Sequence, residues 1–248
     1  TQELHETNAK LMEALMKLRE GEELRETFVA ALTHDLRTPL VGQERALEIF
    51  QRRQQDFPED LVPFINNLLS SNRNLLGMVN KLLEIYQYEA GTVKLVLEKI
   101  GVKDLINDCI NQTTGLIQEK QLIVHNNVLE DCHIFGDRHQ LKRVFMNLLG
   151  NAIDSIQIGG CIEFKAHEAA SHLTIEIEDN GPGIAPEVLP HLFDRYFTTR
   201  QKQKKIGSGL GLSICKMILD LHGAADNVRS KLEQGTCFSL RFSIEETG

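Results

Sequence analysis

The hydrophobic period of this sequence changes at Gly91, and that change limits the chain to two architectures placed end to end. Before Gly91, apolar residues recur at three- and four-residue spacing, as on helices that bury one stripe. Beyond it, short runs alternate with a period of two, as strands do, and helical stretches interrupt them.

Leu4, Leu11 and Leu18 recur every seventh residue with Leu15 between them, which predicts a coiled-coil entry over residues 1–22. Leu24, Phe28, Leu32 and Leu36 continue an apolar face. A short break at residues 54–60 precedes a second helix carrying Leu61, Phe64, Ile65, Leu68, Leu75, Val79, Leu82, Leu83 and Tyr86. Two long helices joined this briefly form an antiparallel hairpin, expected over residues 23–90. A lone hairpin cannot bury so wide a stripe, so a homodimer packed as a four-helix bundle is expected.

Residues 91–248 read as a second domain. Stretches 93–97, 122–124, 161–164, 173–177 and 237–242 are predicted strands, and 102–119, 137–156 and 208–222 predicted helices. The mixed order makes the whole chain α+β, with a C-terminal α/β sandwich whose helices cover one face of a sheet.

The formal charge of −8 supplies no basic field for nucleic acid. No apolar run approaches the roughly 18 residues of a membrane span. Cys109, Cys132, Cys161, Cys215 and Cys237 are scattered without a C-x-x-C pair, so reduced thiols and a cytoplasmic location are expected. Thr1 is not an initiator Met, and the spaced apolar positions after it do not resemble a leader. The expectation is a piece of a longer protein.

Three motifs in the second half carry chemistry. Asn147 and Asn151 stand at i and i+4 on a predicted helix, sharing a face. Their uncharged oxygens suit Mg2+, which keeps several waters and takes few protein ligands beside phosphates. The sequence Asp179-Asn180-Gly181-Pro182-Gly183-Ile184 follows a predicted strand, so an acceptor stands beside backbone that can approach a ligand closely. Gly207-Ser208-Gly209-Leu210-Gly211-Leu212 opens a helix, where free N–H groups and the positive dipole end face an anion. It is neither a Walker A loop nor a good dinucleotide fingerprint. Between the last two lie Phe193, Tyr196 and Phe197, then Arg200, Lys202, Lys204 and Lys205, readable as a cationic lid or as a solvated loop.

In this order and spacing the three motifs resemble the ATP-binding domain of sensor histidine kinases, whose wider superfamily takes in gyrase, mismatch-repair and chaperone ATPases. The resemblance implies a Bergerat ATP-binding fold with ATP and Mg2+ as cofactors. It puts Asn147 and Asn151 at the Mg2+-ATP complex and Asp179 on the adenine amino group. Gly181 and Gly183 would shape the base pocket, and Gly207, Gly209, Leu210 and Gly211 would hinge a lid over the phosphates. Gly235-Thr236 resembles the last glycine box.

In the first half, His34-Asp35-Leu36-Arg37-Thr38-Pro39-Leu40 lies within a predicted helix. His34 and Thr38 share a face, and Asp35 beside the imidazole can hold its tautomer and accept its proton. Pro39 removes one helical donor and predicts a bend. This stretch resembles the phosphoacceptor box of histidine kinases. The match implies His34 as nucleophile, Asp35 as general base, and Thr38 with Asp35 orienting water for dephosphorylation. Arg37 is expected to make a structural or phosphate contact. The other eight histidines, His222 among them, are read as ordinary. The family further implies a response-regulator receiver domain as partner and a sensor domain upstream.

Overall fold

A computed structural model describes Met12 and residues 35–169, 171–195, 197 and 209–244. The expected coiled coil, His34, Tyr196, Arg200, Lys202, Lys204, Lys205 and Gly207 lie outside the described residues. The chain divides into two compact units, Thr1–Val93 and Lys94–Gly248.

In the first unit residues 35–52 are helical (α1), and the helix continues through Pro39. A 3-10 turn at Gln54–Asp56 leads into α2, Val62–Glu89, with Pro63 in its first turn, where a missing N–H costs nothing. The helices run antiparallel, pinned by side chains along their length. Gln51 donates to Asn66 near the turn at 2.9 Å. Farther along, Arg73 donates to Glu44 at 2.8 Å and to Glu48 at 2.6 Å. The buried Asn72 donates to the Leu40 carbonyl at 2.8 Å, and Arg37 forks onto Asn80. Phe50 and Phe57 pack edge to face where the chain turns. This is the expected hairpin. On α2, Leu69, Asn72, Val79 and Ile85 are buried, whereas Leu61, Phe64, Leu68 and Leu75 are exposed.

The second unit contains, in order, β1 (Glu98–Gly101), α3 (Val102–Glu119), β2 (Ile123–Asn126), β3 (His133–Gly136) and α4 (Arg138–Ser155). It continues with β4 (Cys161–Ala169), β5 (His172–Asp179), α5 (Gly211–Leu221), β6 (Ala225–Lys231) and β7 (Gly235–Ser243). Five strands form one sheet in the order β2-β4-β5-β7-β6, and β1 pairs with β3 in a separate ribbon. Only the β2–β4 pairing in the sheet is parallel, so the sheet is mixed, as expected.

Alternation sorts the strands' faces. Ile162, Phe164, Leu173, Ile175, Ile177, Phe238, Leu240 and Phe242 are buried, while the intervening Glu163, Lys165, Glu176, Glu178 and Arg241 are not. The helices α3, α4 and α5 supply the rest of the core, chiefly Leu105, Ile106, Phe145, Leu148, Leu149, Ile153, Ile214 and Ile218. Both ends of the central helix are finished by side chains. The Asp137 carboxylate caps its start, accepting from the Gln140 N–H at 3.0 Å. At its end, Lys120 donates to the carbonyls of Ile153, Asp154 and Ile156 at 2.5, 3.1 and 3.0 Å, a cation where the helix dipole is negative.

Several expectations need correction. Residues 93–97 are not a strand, because Val96 and Leu97 are exposed and have no sheet face to fill. The Val96 N–H instead donates to Asp137 Oδ2 at 3.0 Å, and the strand begins at Glu98. The helix expected from residue 208 begins at Gly211. Strands β3 and β6 carry no strong alternation and were not expected. The cysteines are as expected: all five are free thiols, and burial pushes Cys109 up to about 11.

Candidate nucleotide site and phosphoacceptor helix

α4 is the spine of the candidate site because it is covered by α3 on one side and α5 on the other. Its apolar face is buried, and the half-buried Asn147 and Asn151 stand at its edge. A Cβ added at Gly211 would lie 3.3 Å from Asn147 Oδ1, so the first residue of α5 stands against that amide. Leu210, just ahead, is buried and holds the start of α5 to the core, and Gly209 has φ of 65°, natural only to glycine.

Farther along the spine, Ser155 and Ile156 meet the loop that follows β5. A Cβ at Gly181 would lie 2.7 Å from Asp179 Oδ1, 3.4 Å from Ile156 Cγ1 and 3.5 Å from Ser155 Oγ. Only glycine leaves this corner open. The Asp179 side chain is buried, and its Oδ1 accepts from the Gly181 N–H at 2.8 Å. Burial raises its pKa above the ordinary carboxylate value, and hydrogen bonds from the backbone of Gly181 and Thr236 oppose that rise.

The loop is stapled to the β6–β7 turn. The Glu233 N–H donates to the Pro182 carbonyl at 2.8 Å, and the Ile184 N–H to Ser230 Oγ at 2.8 Å. Ser230 in turn bonds the Gly235 carbonyl and the hydroxyl of the buried Thr236, both at 2.9 Å. At Gly183, with φ of 70°, a side chain would collide with the Lys231 carbonyl. At Gly235, with φ of 90°, it would collide with that of Asp179. Asp179, Gly181, Gly183 and Thr236 are thus brought together, as are Asn147, Gly209, Leu210 and Gly211. Ser230 was missed, since nothing in its sequence neighbourhood points to a loop 46 residues away.

Residues 147 and 155 are eight apart, about 12 Å along a helix axis. The spine therefore joins a corner with a buried acceptor to a helix N-terminus that stands against the Asn147 amide, with Asn151 one turn along the same face. That span suits a ligand with a flat polar head at one end and anionic groups at the other. Among the described residues no cluster of three or more His, Cys, Asp or Glu is poised for a metal. The neutral hard oxygens of Asn147 and Asn151 nonetheless fit Mg2+, which draws most of its ligands from phosphate and water.

On α1, Asp35 and Thr38 lie in the first described turn. Arg37 makes a structural contact: its Nε and Nη2 donate to Asn80 Oδ1 at 2.9 and 2.6 Å. No helix among the described residues is long and apolar enough to cross a membrane.

Two family profiles match the chain. Residues 136–246 match the histidine kinase-, DNA gyrase B- and HSP90-like ATPase family, and residues 24–91 match the His Kinase A (phospho-acceptor) domain. The signal transduction histidine-protein kinase AfsQ2 of Streptomyces coelicolor is 31% identical over 225 residues. That alignment covers 86% of this chain but 41% of AfsQ2, so the chain spans less than half of that relative. Full-length ShkA, solved in complex with AMPPNP, shares the fold with a TM-score of 0.76 at 24% identity, covering 86% of this chain and 45% of ShkA. The histidine kinase ThkA, solved in complex with the response regulator protein TrrA, has a TM-score of 0.62 at 24% identity, covering 87% and 60%.

Proposed function

The chain belongs to the sensor histidine kinases, with a phosphoacceptor domain followed by an ATP-binding domain, and from that premise we propose that it phosphorylates His34 from ATP. The observation that carries the reading is the α4 spine, which links the Asp179 corner to Asn147 at the start of α5. Adenine would enter the corner, its amino group donating to Asp179. The phosphates would lie toward Asn147, Asn151 and the N-terminus of α5, between Gly207 and Gly211.

Mg2+, held by Asn151 and Asn147 through their amide oxygens, would supply charge neutralisation on the phosphates. Phosphoryl transfer asks for positioning and charge compensation more than for covalent help. His34 Nε2 attacks the γ-phosphorus, the bond to the β–γ bridging oxygen breaks, and ADP leaves. Asp35 takes the ring proton.

The phosphoryl group then passes to an aspartate of a response-regulator receiver domain, a partner of the kind ThkA holds in its structure. Asp35 and Thr38 orient water for the reverse, phosphatase, output. Under this reading residues 1–22 are a signalling coiled coil fed by an upstream sensor domain, 23–90 the dimerisation and phosphotransfer hairpin, and 91–248 the cytoplasmic catalytic domain. The exposed row of Leu61, Phe64, Leu68 and Leu75 supports a homodimer. Incubation with Mg2+ and γ-labelled ATP tests the reading. Acid-labile, base-stable label absent from His34→Gln is expected, and label that persists in that variant would overturn it.

A further inference from the structure

The helices α4 and α5 lie antiparallel, and three contacts fix how far one is slid along the other. At one end the Asp137 N–H donates to His222 Nε2 at 3.0 Å. In the middle the Cys215 thiol faces the Val144 carbonyl at 3.9 Å. At the far end Gly211 stands against Asn147. The thiol contact is long and weak, and the glycine contact is a fit rather than a bond. Of these three, the histidine contact alone is both short and directional, and it adds to the apolar packing between the helices.

We propose that His222 is a positioning residue for the nucleotide site: by tying the end of α5 to the start of α4, it sets where Gly209–Gly211 stand relative to Asn147. The inference rests on the nucleotide reading above only for its consequence, not for the contact itself. A backbone N–H can only donate, so Nε2 carries no proton, and Nδ1–H donates to the Ile218 carbonyl at 2.7 Å. Both ring nitrogens are therefore committed, and the imidazole is neutral. Its edge packs on the bare backbone of Gly136, where an added Cβ would come within 2.9 Å of His222 Cδ2. Asp137 also caps α4 through Oδ1 and holds the Val96 N–H through Oδ2. One residue thus joins the segment entering the domain, the start of the spine and the end of α5.

Proton uptake would break this contact, because a second N–H would then face the Asp137 N–H. Burial holds the His222 pKa below its ordinary value, against the raising effects of the Ile218 carbonyl and the Asp137 charge. The charge facing the ring from α4 is Asp137. On α5 itself, Lys216 is bound to Asp220 and to Asp226 of β6, which occupies those charges among themselves. The contact is intact at neutral pH and breaks as pH falls through the depressed value, and the stability it adds is lost over the window from the ordinary histidine value down to that one.

Three forms of the full chain test this: the parent, His222→Leu, which keeps bulk without an acceptor, and His222→Gln, which keeps an acceptor that does not titrate. Without nucleotide, amide exchange at residues 209–213 is expected to quicken about tenfold in His222→Leu, the loss of one hydrogen bond, while β4 and β5 stay protected. Calorimetry with a non-hydrolysable ATP analogue should show about tenfold weaker binding in His222→Leu and recovery of most of it in His222→Gln. The parent should lose affinity as pH falls through the depressed His222 value, and His222→Gln should not. Unchanged exchange at 209–213 in His222→Leu, or a parent-like acid loss in His222→Gln, overturns the proposal. Should His222→Leu not fold, exchange at 209–213 in the parent and His222→Gln across the same pH range decides it. A parent that binds no ATP analogue at any pH sinks the nucleotide reading, and the exchange comparison still decides the contact.

Discussion

The helices α2 and α4 show how differently the two units meet the demand for burial. α4, with 18 residues, buries Leu141, Val144, Phe145, Leu148, Leu149, Ala152 and Ile153. α2, with 28 residues, buries Leu69, Asn72, Val79 and Ile85, one of them polar. The sandwich completes its core within its own unit. The hairpin is held by polar side chains that fix register but bury little, and it leaves Phe64 66% and Leu68 58% exposed. Fully burying such a side chain is worth about 1.5–3 kcal/mol, a gain the hairpin has yet to realise. One unit is finished alone, and the other keeps an apolar row exposed, which the proposed dimer would cover.

Breaking the finished unit should give the largest effect. Gly235→Val forces a side chain at φ of 90° into the Asp179 carbonyl, and a loss of about 3 kcal/mol in denaturant unfolding is expected, with ATP binding gone. Leu68→Glu instead strikes the unfinished unit. A two-fold interface feels each change twice, so sedimentation should show the dimer weakened about 100-fold, with ATP-analogue binding intact. Equal loss of both properties would erase the contrast between the units.

Asp179→Asn separates chemistry from stability inside the sandwich. It should weaken ATP-analogue binding roughly 10–100-fold by calorimetry, the worth of a hydrogen bond to a charged group. Because the folded pKa of Asp179 is raised, ionisation favours the unfolded chain. Its contribution to stability therefore falls as pH rises from the ordinary carboxylate value through the raised one. The variant should lose that slope and melt no lower than the parent at pH 7. Smaller still, Asn80→Ala and Arg37→Ala should each cost about 1 kcal/mol and show coupling in a double-mutant cycle. Arg73→Ala, removing exposed ion pairs, should leave the melting temperature unchanged.

The same contrast explains what was legible in the sequence. Helical spacing announced the hairpin, and alternation announced β4, β5 and β7, whose inward faces are apolar. Strand β6 hid because it is a sheet edge whose inward positions are Asp226, Val228 and Ser230, with Asp226 answered by Lys216 rather than by a core. Val93, Leu95 and Leu97 alternate as a strand would but have no sheet to join. The glycine motifs of the site were readable because close approach leaves only one residue type possible. His222 was not, since its partner lies 85 residues away and the ring looks ordinary until both nitrogens are traced.

The pairing of β5 with β7 brings Asp179 opposite Thr236 and closes everything between them into one loop. The corner between them leaves no slack: Pro182 is bound to Glu233, Ile184 to Ser230, and Gly235 lies against the Asp179 carbonyl, so an added residue would break a contact. Evolution at this corner is therefore confined to substitution, because a change of length would unseat both strands at once.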